Sequence, residues 1–254
     1  MEISQKLING QSLRCLEINP NAQKTLVVLH GWGGCIDSWK NFLTTLENDN
    51  LHILAFDLPG FGLTPAPTTP WQVKDYSNLV KSFIDSYNLK KINLLGHSFG
   101  GQIATQFAYD YPEYLEKLFL AGAAAIRPKK SFFRITIGFL AKILKVIFSG
   151  KAKKLRHFLY RCIGSLDYEN LTDPIMQQTM HNVLADDLKN ILPEIKTPTI
   201  IIWGEEDSYT PLKHGLIIKK LIPNNKIYIL KNARHGLHLQ QPAELKKIIL
   251  ENLN

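Results

Sequence analysis

Gly96-His97-Ser98-Phe99-Gly100 puts one serine between two glycines in a G-x-S-x-G pattern. A serine hydroxyl is a poor nucleophile until a base takes its proton, and that base needs a carboxylate to fix its tautomer. The chain offers both further on. Trp203-Gly204-Glu205-Glu206-Asp207 supplies three candidate acids, and His235 and His238 are candidate bases near the C-terminus. Together these types could carry out acyl transfer without a metal or an organic cofactor, and no motif for either is present.

Such residues work only if the fold aims them. The run 26–29 is apolar at every position, as strands covered on both faces are, and mostly apolar runs of the same character occur at 51–56, 92–95, 117–120, 199–203 and 226–230. Helical patterns alternate with them at 39–47, 76–87, 99–109 and 212–221. Asn9-Gly10 between two strand-like stretches, 3–8 and 12–18, signals a hairpin. Strand alternating with helix predicts an α/β fold with a mostly parallel sheet flanked by helices. In that frame Ser98 sits on a strand–turn–helix junction, the setting of a nucleophile elbow, where glycines give the sharp turn room. Asp207 ends one strand, and His235 follows the last.

At this point the chain resembles the α/β-hydrolase superfamily over its whole sheet region. The match rests on the elbow, on His30-Gly31-Trp32-Gly33-Gly34 directly after a strand, on Asp57-Leu58-Pro59-Gly60-Phe61-Gly62, and on the W-G-x-x-D turn. The resemblance implies a triad in the order Ser98, Asp207, His235. It also implies an oxyanion hole made by the backbone N–H groups of Trp32 and Phe99. His235 stands seven residues before Pro242, as in the family's terminal histidine loop, whereas the spacing from His238 is wrong. His30 and His97 read as scaffolding, and Asp57 as an architectural residue. Arg234 and Gln240 stand where relatives usually have glycine and glutamate.

The 254 residues carry a formal charge of +8, yet the stretch 127–161 alone holds eleven lysines and arginines and no acid. The remainder is therefore slightly acidic, and the basicity belongs to one segment. No strand pattern appears over 126–195, so this region reads as a helical cap (lid) inserted between core segments 1–125 and 196–254. Within it 134–149 forms a helix with a narrow polar stripe and a broad apolar face, and Asp173-Pro174 starts another helix that runs to about Leu188. The apolar face is expected to pack on the core or line an acyl tunnel; a peripheral membrane contact through the basic stripe is the alternative. Nucleic-acid binding has no recognisable module behind it. Three cysteines, Cys15, Cys35 and Cys162, in no paired spacing suit a reducing, cytoplasmic setting. The N-terminus shows no secretory pattern, and no uncharged apolar run approaches the ~20 residues of a membrane span.

The leading expectation is a cofactor-free serine hydrolase for a small-molecule carboxylic ester or thioester. By the resemblance, a serine at the elbow excludes the epoxide hydrolases and haloalkane dehalogenases, which use aspartate there. The His-Gly-Trp-Gly-Gly loop is similar to that of the pimeloyl-ACP methyl ester esterase group, which commonly has tryptophan where His97 stands. C–C hydrolysis of a ring-fission diketone is the alternative, although relatives of that kind tend to carry Asn in the elbow and Trp after the base, against His97 and Gly236 here. A perhydrolase or haloperoxidase shares the same triad. A non-catalytic ligand sensor on this scaffold is the reading from a different class.

Overall fold

Successive residues of a strand face opposite sides of its sheet, and the central strands here are apolar on both. In β3 (Lys24–Leu29), Val27 and Leu29 enter one core while Leu26 and Val28 enter the other. In β7 (Thr199–Gly204), Ile201 and Trp203 are divided in the same way from Ile200 and Ile202. Two hydrophobic layers therefore sandwich one sheet, as helices on both faces require.

The computed structural model describes residues 1–127 and 172–253. The other strands are β1 (Glu2–Ile8), β2 (Gln11–Ile18), β4 (Leu51–Phe56), β5 (Ile92–His97), β6 (Leu115–Ala121) and β8 (Asn225–Leu230). Among the described residues the sheet has eight strands in the order β1-β2-β4-β3-β5-β6-β7-β8. Pairing is antiparallel between β1 and β2 and between β2 and β4, and parallel from β4 to β8. The expected hairpin is present, with Asn9 and Gly10 at φ values of 48° and 78°, which matches the right-handed twist of the strands it joins.

Helices α2 (Val73–Ser86), α3 (Phe99–Asp110) and α5 (Leu212–Leu221) contribute to one layer. Helices α1 (Ile36–Thr44) and α7 (Pro242–Glu251) contribute to the other. A short helix, α6 (Leu237–Gln240), precedes α7. Two helices start three residues earlier than their sequence patterns suggest, at Ile36 and Val73, because side chains cap them there. Asp57 Oδ1 accepts the Ile36 N–H at 2.6 Å, and Asp75 Oδ2 accepts the Gln72 N–H at 2.7 Å.

Helix α4 (Pro174–Ala185) begins as expected, with the Asp173 carboxylate accepting the Ile175 N–H at 2.8 Å. It ends short of Leu188. Its terminal carbonyls are taken by tertiary partners: Val183 O accepts from Gln102 Nε2 and Arg127, and Asp186 O accepts from the same two side chains. Of the segment 126–195 expected to form a cap, the part after α4 holds two 3-10 turns, Leu188–Asn190 and Leu192–Glu194, whose Leu188 and Leu192 are buried in the core. Residues 128–171, with the basic run beyond Arg127 and the helix expected over 134–149, lie outside the described residues. Among the described residues, no helix is long and apolar enough to cross a membrane.

Candidate active site

Ser98 sits between β5 and α3 with φ 53° and ψ −113°, a conformation that L-residues rarely adopt. The surroundings hold it there. Its N–H donates to Ala121 O at 3.0 Å, and its carbonyl accepts from Gln102 N and Ala124 N at 3.0 and 2.9 Å. The turn also needs its flanking glycines. A Cβ on Gly96 would lie 2.3 Å from Gly100 O, and one on Gly100 would lie 2.3 Å from Leu29 O.

The loop after β3 packs directly on this elbow. A Cβ on Gly31 would be 3.0 Å from His97 Nδ1 and 3.1 Å from Ser98 Cβ, so a side chain there would crowd the elbow. His30 braces it from below. Its Nε2 accepts the Leu58 N–H at 2.9 Å, which leaves the proton on Nδ1 to donate to Gly31 O at 2.8 Å. Burial pushes the His30 pKa down and keeps the ring neutral. The Trp32 ring packs edge-on against Phe99 at 5.3 Å and Phe61 at 4.8 Å. Phe99 is the first residue of α3, so its N–H lies outside the helix's own hydrogen-bond ladder.

His235 and Asp207 meet, with Nδ1 and Oδ2 2.7 Å apart. Asp207 is 5% exposed and receives further donors: Tyr209 N and Thr210 N reach Oδ1, each at 2.9 Å. Burial alone would raise its pKa, but the hydrogen bond and charge of His235 and the Thr210 donors outweigh that, leaving the carboxyl below its usual range. Glu205 and Glu206 are exposed. Gly122 turns the chain at the end of β6 with φ 53°, and a Cβ there would press on both Asp207 Oδ2 and His235 Nδ1 at 3.3 Å.

His97 links the elbow to the histidine loop: its ring lies 4.8 Å from that of His235. Ser98 is the residue next to His97, and among the described residues no hydrogen bond joins its hydroxyl to His235. His238 borders the cluster, its ring 5.1 Å from that of His97, but among the described residues it makes no hydrogen bond to Asp207. It is buried and stacked flat on Trp39, with ring centres 4.0 Å apart and Nδ1 unpartnered. Arg234 points outward toward Glu206, with Nε 3.9 Å from the carboxylate, and its N–H donates to Gln240 Oε1 at 2.7 Å. The two departures from the family pattern are thus in contact with each other rather than with the imidazole. Asp57 is fully buried, accepts the Ile36 and Leu63 N–H groups, and lies 3.5 Å from Arg14.

Sequence reasoning did not single out Tyr209, Thr210 or Gly122. Tyr209 stacks its exposed ring over His235 at 5.3 Å, and Thr210 bonds to Asp207. A signal for the turn was present, since an aspartate followed by Ser-Tyr-Thr-Pro is a composition that folds back on its own carboxylate. The reach of the Thr210 hydroxyl required the tertiary structure.

A family model described as the alpha/beta hydrolase fold matches residues 24–146. The chain is 28% identical to a 2-hydroxy-6-oxononadienedioate/2-hydroxy-6-oxononatrienedioate hydrolase of Paraburkholderia phymatum, with 97% of this chain and 93% of that protein covered. Among solved structures it is similar to an esterase from Exiguobacterium antarcticum, with a TM-score of 0.78, 19% identity and 98% of each chain covered. It is also similar to a bacterial membrane phospholipase A, with a TM-score of 0.77, 23% identity, and 99% and 86% covered. At these identities the structural likenesses establish the fold alone.

Proposed function

We propose that this chain, a member of the α/β-hydrolase superfamily, is a cofactor-free serine hydrolase that cleaves a carboxylic ester or thioester through an acyl-enzyme on Ser98. The observation that carries this reading is the 2.7 Å Asp207–His235 hydrogen bond, formed beside a serine whose backbone is strained and tightly held.

In the proposed cycle, His235 takes the hydroxyl proton at Nε2 as Ser98 Oγ attacks the substrate carbonyl. Asp207 holds the Nδ1–H and offsets the positive charge that forms on the ring. The carbonyl oxygen becomes negative only as the bond forms, and in this reading the Trp32 and Phe99 amides receive it; losing one such donor costs ~3–4 kcal/mol in typical cases. His235 then passes its proton to the leaving alcohol or thiol, and the C–O or C–S bond breaks. In the second half, His235 removes a proton from water, the resulting oxygen adds to the acyl carbon, and Ser98 leaves with the proton returned. The region 126–195 is proposed as a cap over this site that sets acyl preference.

A second reading, C–C hydrolysis of a ring-fission diketone, is favoured by the name of the Paraburkholderia phymatum relative. The ester reading is preferred on residues of this chain: His97 and Gly236 stand where relatives of the diketone-cleaving kind tend to carry Asn and Trp.

A panel of p-nitrophenyl esters of increasing chain length, acyl thioesters and a ring-fission diketone tests this. Ester or thioester turnover that disappears in Ser98→Ala is expected. Diketone cleavage with silence on every ester and thioester would replace the first reading with the second.

A further inference from the structure

The Thr210 hydroxyl is in contact with three groups at once. Oγ1 lies 2.9 Å from Asp207 Oδ2, 3.0 Å from Gly122 O and 3.3 Å from His235 Nδ1. The main chain of Thr210 is pinned as well, its N–H by Asp207 Oδ1 at 2.9 Å and its carbonyl by Trp203 Nε1 at 2.7 Å. The residue is buried. Backbone and side chain alike are thus tied to the end of β7 and to the turn after β6.

We propose that Thr210 is a positioning residue for the relay, donating its hydroxyl proton to the same Asp207 oxygen that holds His235. This rests on the reading of Ser98, His235 and Asp207 given above. A carboxylate has about four lone-pair sites, and here Tyr209 N, Thr210 N, His235 and the Thr210 hydroxyl fill them. Two of those donors are backbone and survive any substitution. The hydroxyl is the one donor besides His235 that a side chain supplies, so it decides how charge divides between the two oxygens. Its single proton is shared with Gly122 O, but the ionised carboxylate is the stronger acceptor. The result is a carboxylate plane fixed in the orientation that His235 needs, with less negative charge on Oδ2 than a bare carboxylate would hold.

A more negative Oδ2 would hold the protonated imidazole more tightly. Removing the hydroxyl therefore keeps His235 protonated to higher pH and moves the acid limb of reactivity upward. The other titratable groups facing the pair are Tyr209, stacked over the imidazole, His97 from the elbow, His238 from α6, and His214 from α5, with Lys213, Arg127 and Asp187 beyond it. All of them are common to the parent and its variants, so they cancel in the comparison.

The test is the rate of covalent labelling by a fluorophosphonate probe as a function of pH, which needs no natural substrate. In Thr210→Val, an isostere without the donor, the acid limb should rise by about half a pH unit and the plateau rate should fall about tenfold or more, on the order of the loss of one charge-assisted hydrogen bond. Thr210→Ser, which keeps the hydroxyl, should follow the parent in both respects. Thr210→Ala removes the same donor at smaller volume and repeats the measurement if the valine variant folds poorly. An acid limb that stays in place in the valine and alanine variants, or a serine variant that behaves like them, overturns the proposal. Failure of the underlying reading looks different: the parent would not label, or Ser98→Ala would label as well as the parent.

Discussion

His97 Nε2 donates to the backbone carbonyl of His235 across 2.9 Å, so the residue before the elbow serine grips the loop that carries the imidazole. The bond spans two segments far apart in the chain, and it makes the position of His235 depend on the elbow itself. Removing the ring in His97→Leu leaves that carbonyl without its partner. The expected result is a fold that survives, with labelling at Ser98 slowed about tenfold, as the loss of one positioning hydrogen bond implies. His97→Gln, which can still donate, should recover part of that rate. Labelling kinetics beside thermal melting separate the loss of position from the loss of fold.

Acid should unfold this protein in part through its histidines. Burial first, and the nearby charge of His235 second, push His97 down to about 3 and His238 down to about 4. In the unfolded chain both would titrate near ~6.5. Between those values the unfolded state takes protons that the folded state refuses. Their contribution to stability is therefore complete above about pH 6.5 and lost on acidification, by up to about 1.4 kcal/mol per pH unit for each ring. His238→Phe keeps the stack on Trp39 without a titrating nitrogen. Denaturant unfolding from pH 7 to pH 4 should show a shallower loss in that variant than in the parent.

Asp57 is expected to stabilise without taking part in the chemistry. Its two oxygens accept the N–H groups of Ile36 and Leu63 and face Arg14, so it ties the start of α1 to the loop at 57–63. Asp57→Ala orphans both donors and should cost about 2–4 kcal/mol in a denaturation experiment. The fraction that remains folded should still label at Ser98 at the parent rate.

Gly100 is a point of close approach. Its missing side chain lets α3 sit against β3, and a Cβ would lie 2.3 Å from Leu29 O and 2.6 Å from His30 O. Both obstructing atoms are backbone and cannot step aside cheaply. Gly100→Ala should lower stability by ~3 kcal/mol or more and slow labelling at Ser98, because the strain falls on the junction of the elbow and the loop after β3.

Much of this was legible in the sequence, for a physical reason. Strands covered on both faces are apolar at most positions, so β4 was readable to its ends and β3, β5 and β7 to within two residues. Ser98, Asp207 and His235 each follow a strand, and turns at strand ends keep a local signature of glycine and acid. What escaped was set by contacts between distant segments. Helix α1 starts where Asp57 caps it, and α4 stops where Gln102 and Arg127 take its last carbonyls. The outward course of Arg234 follows from its partners Glu206 and Gln240. The role argued for Thr210 was invisible because threonine before proline reads as ordinary turn chemistry until Asp207, Gly122 and His235 are brought around it.

The central claim is that Ser98 is a nucleophile armed by His235. Intact-protein mass spectrometry after treatment with a fluorophosphonate tests it most directly. One adduct, mapped to Ser98 and abolished in both Ser98→Ala and His235→Ala while each variant stays folded, is the predicted result. A folded parent that takes up no probe, or an adduct undiminished in Ser98→Ala, would contradict the account.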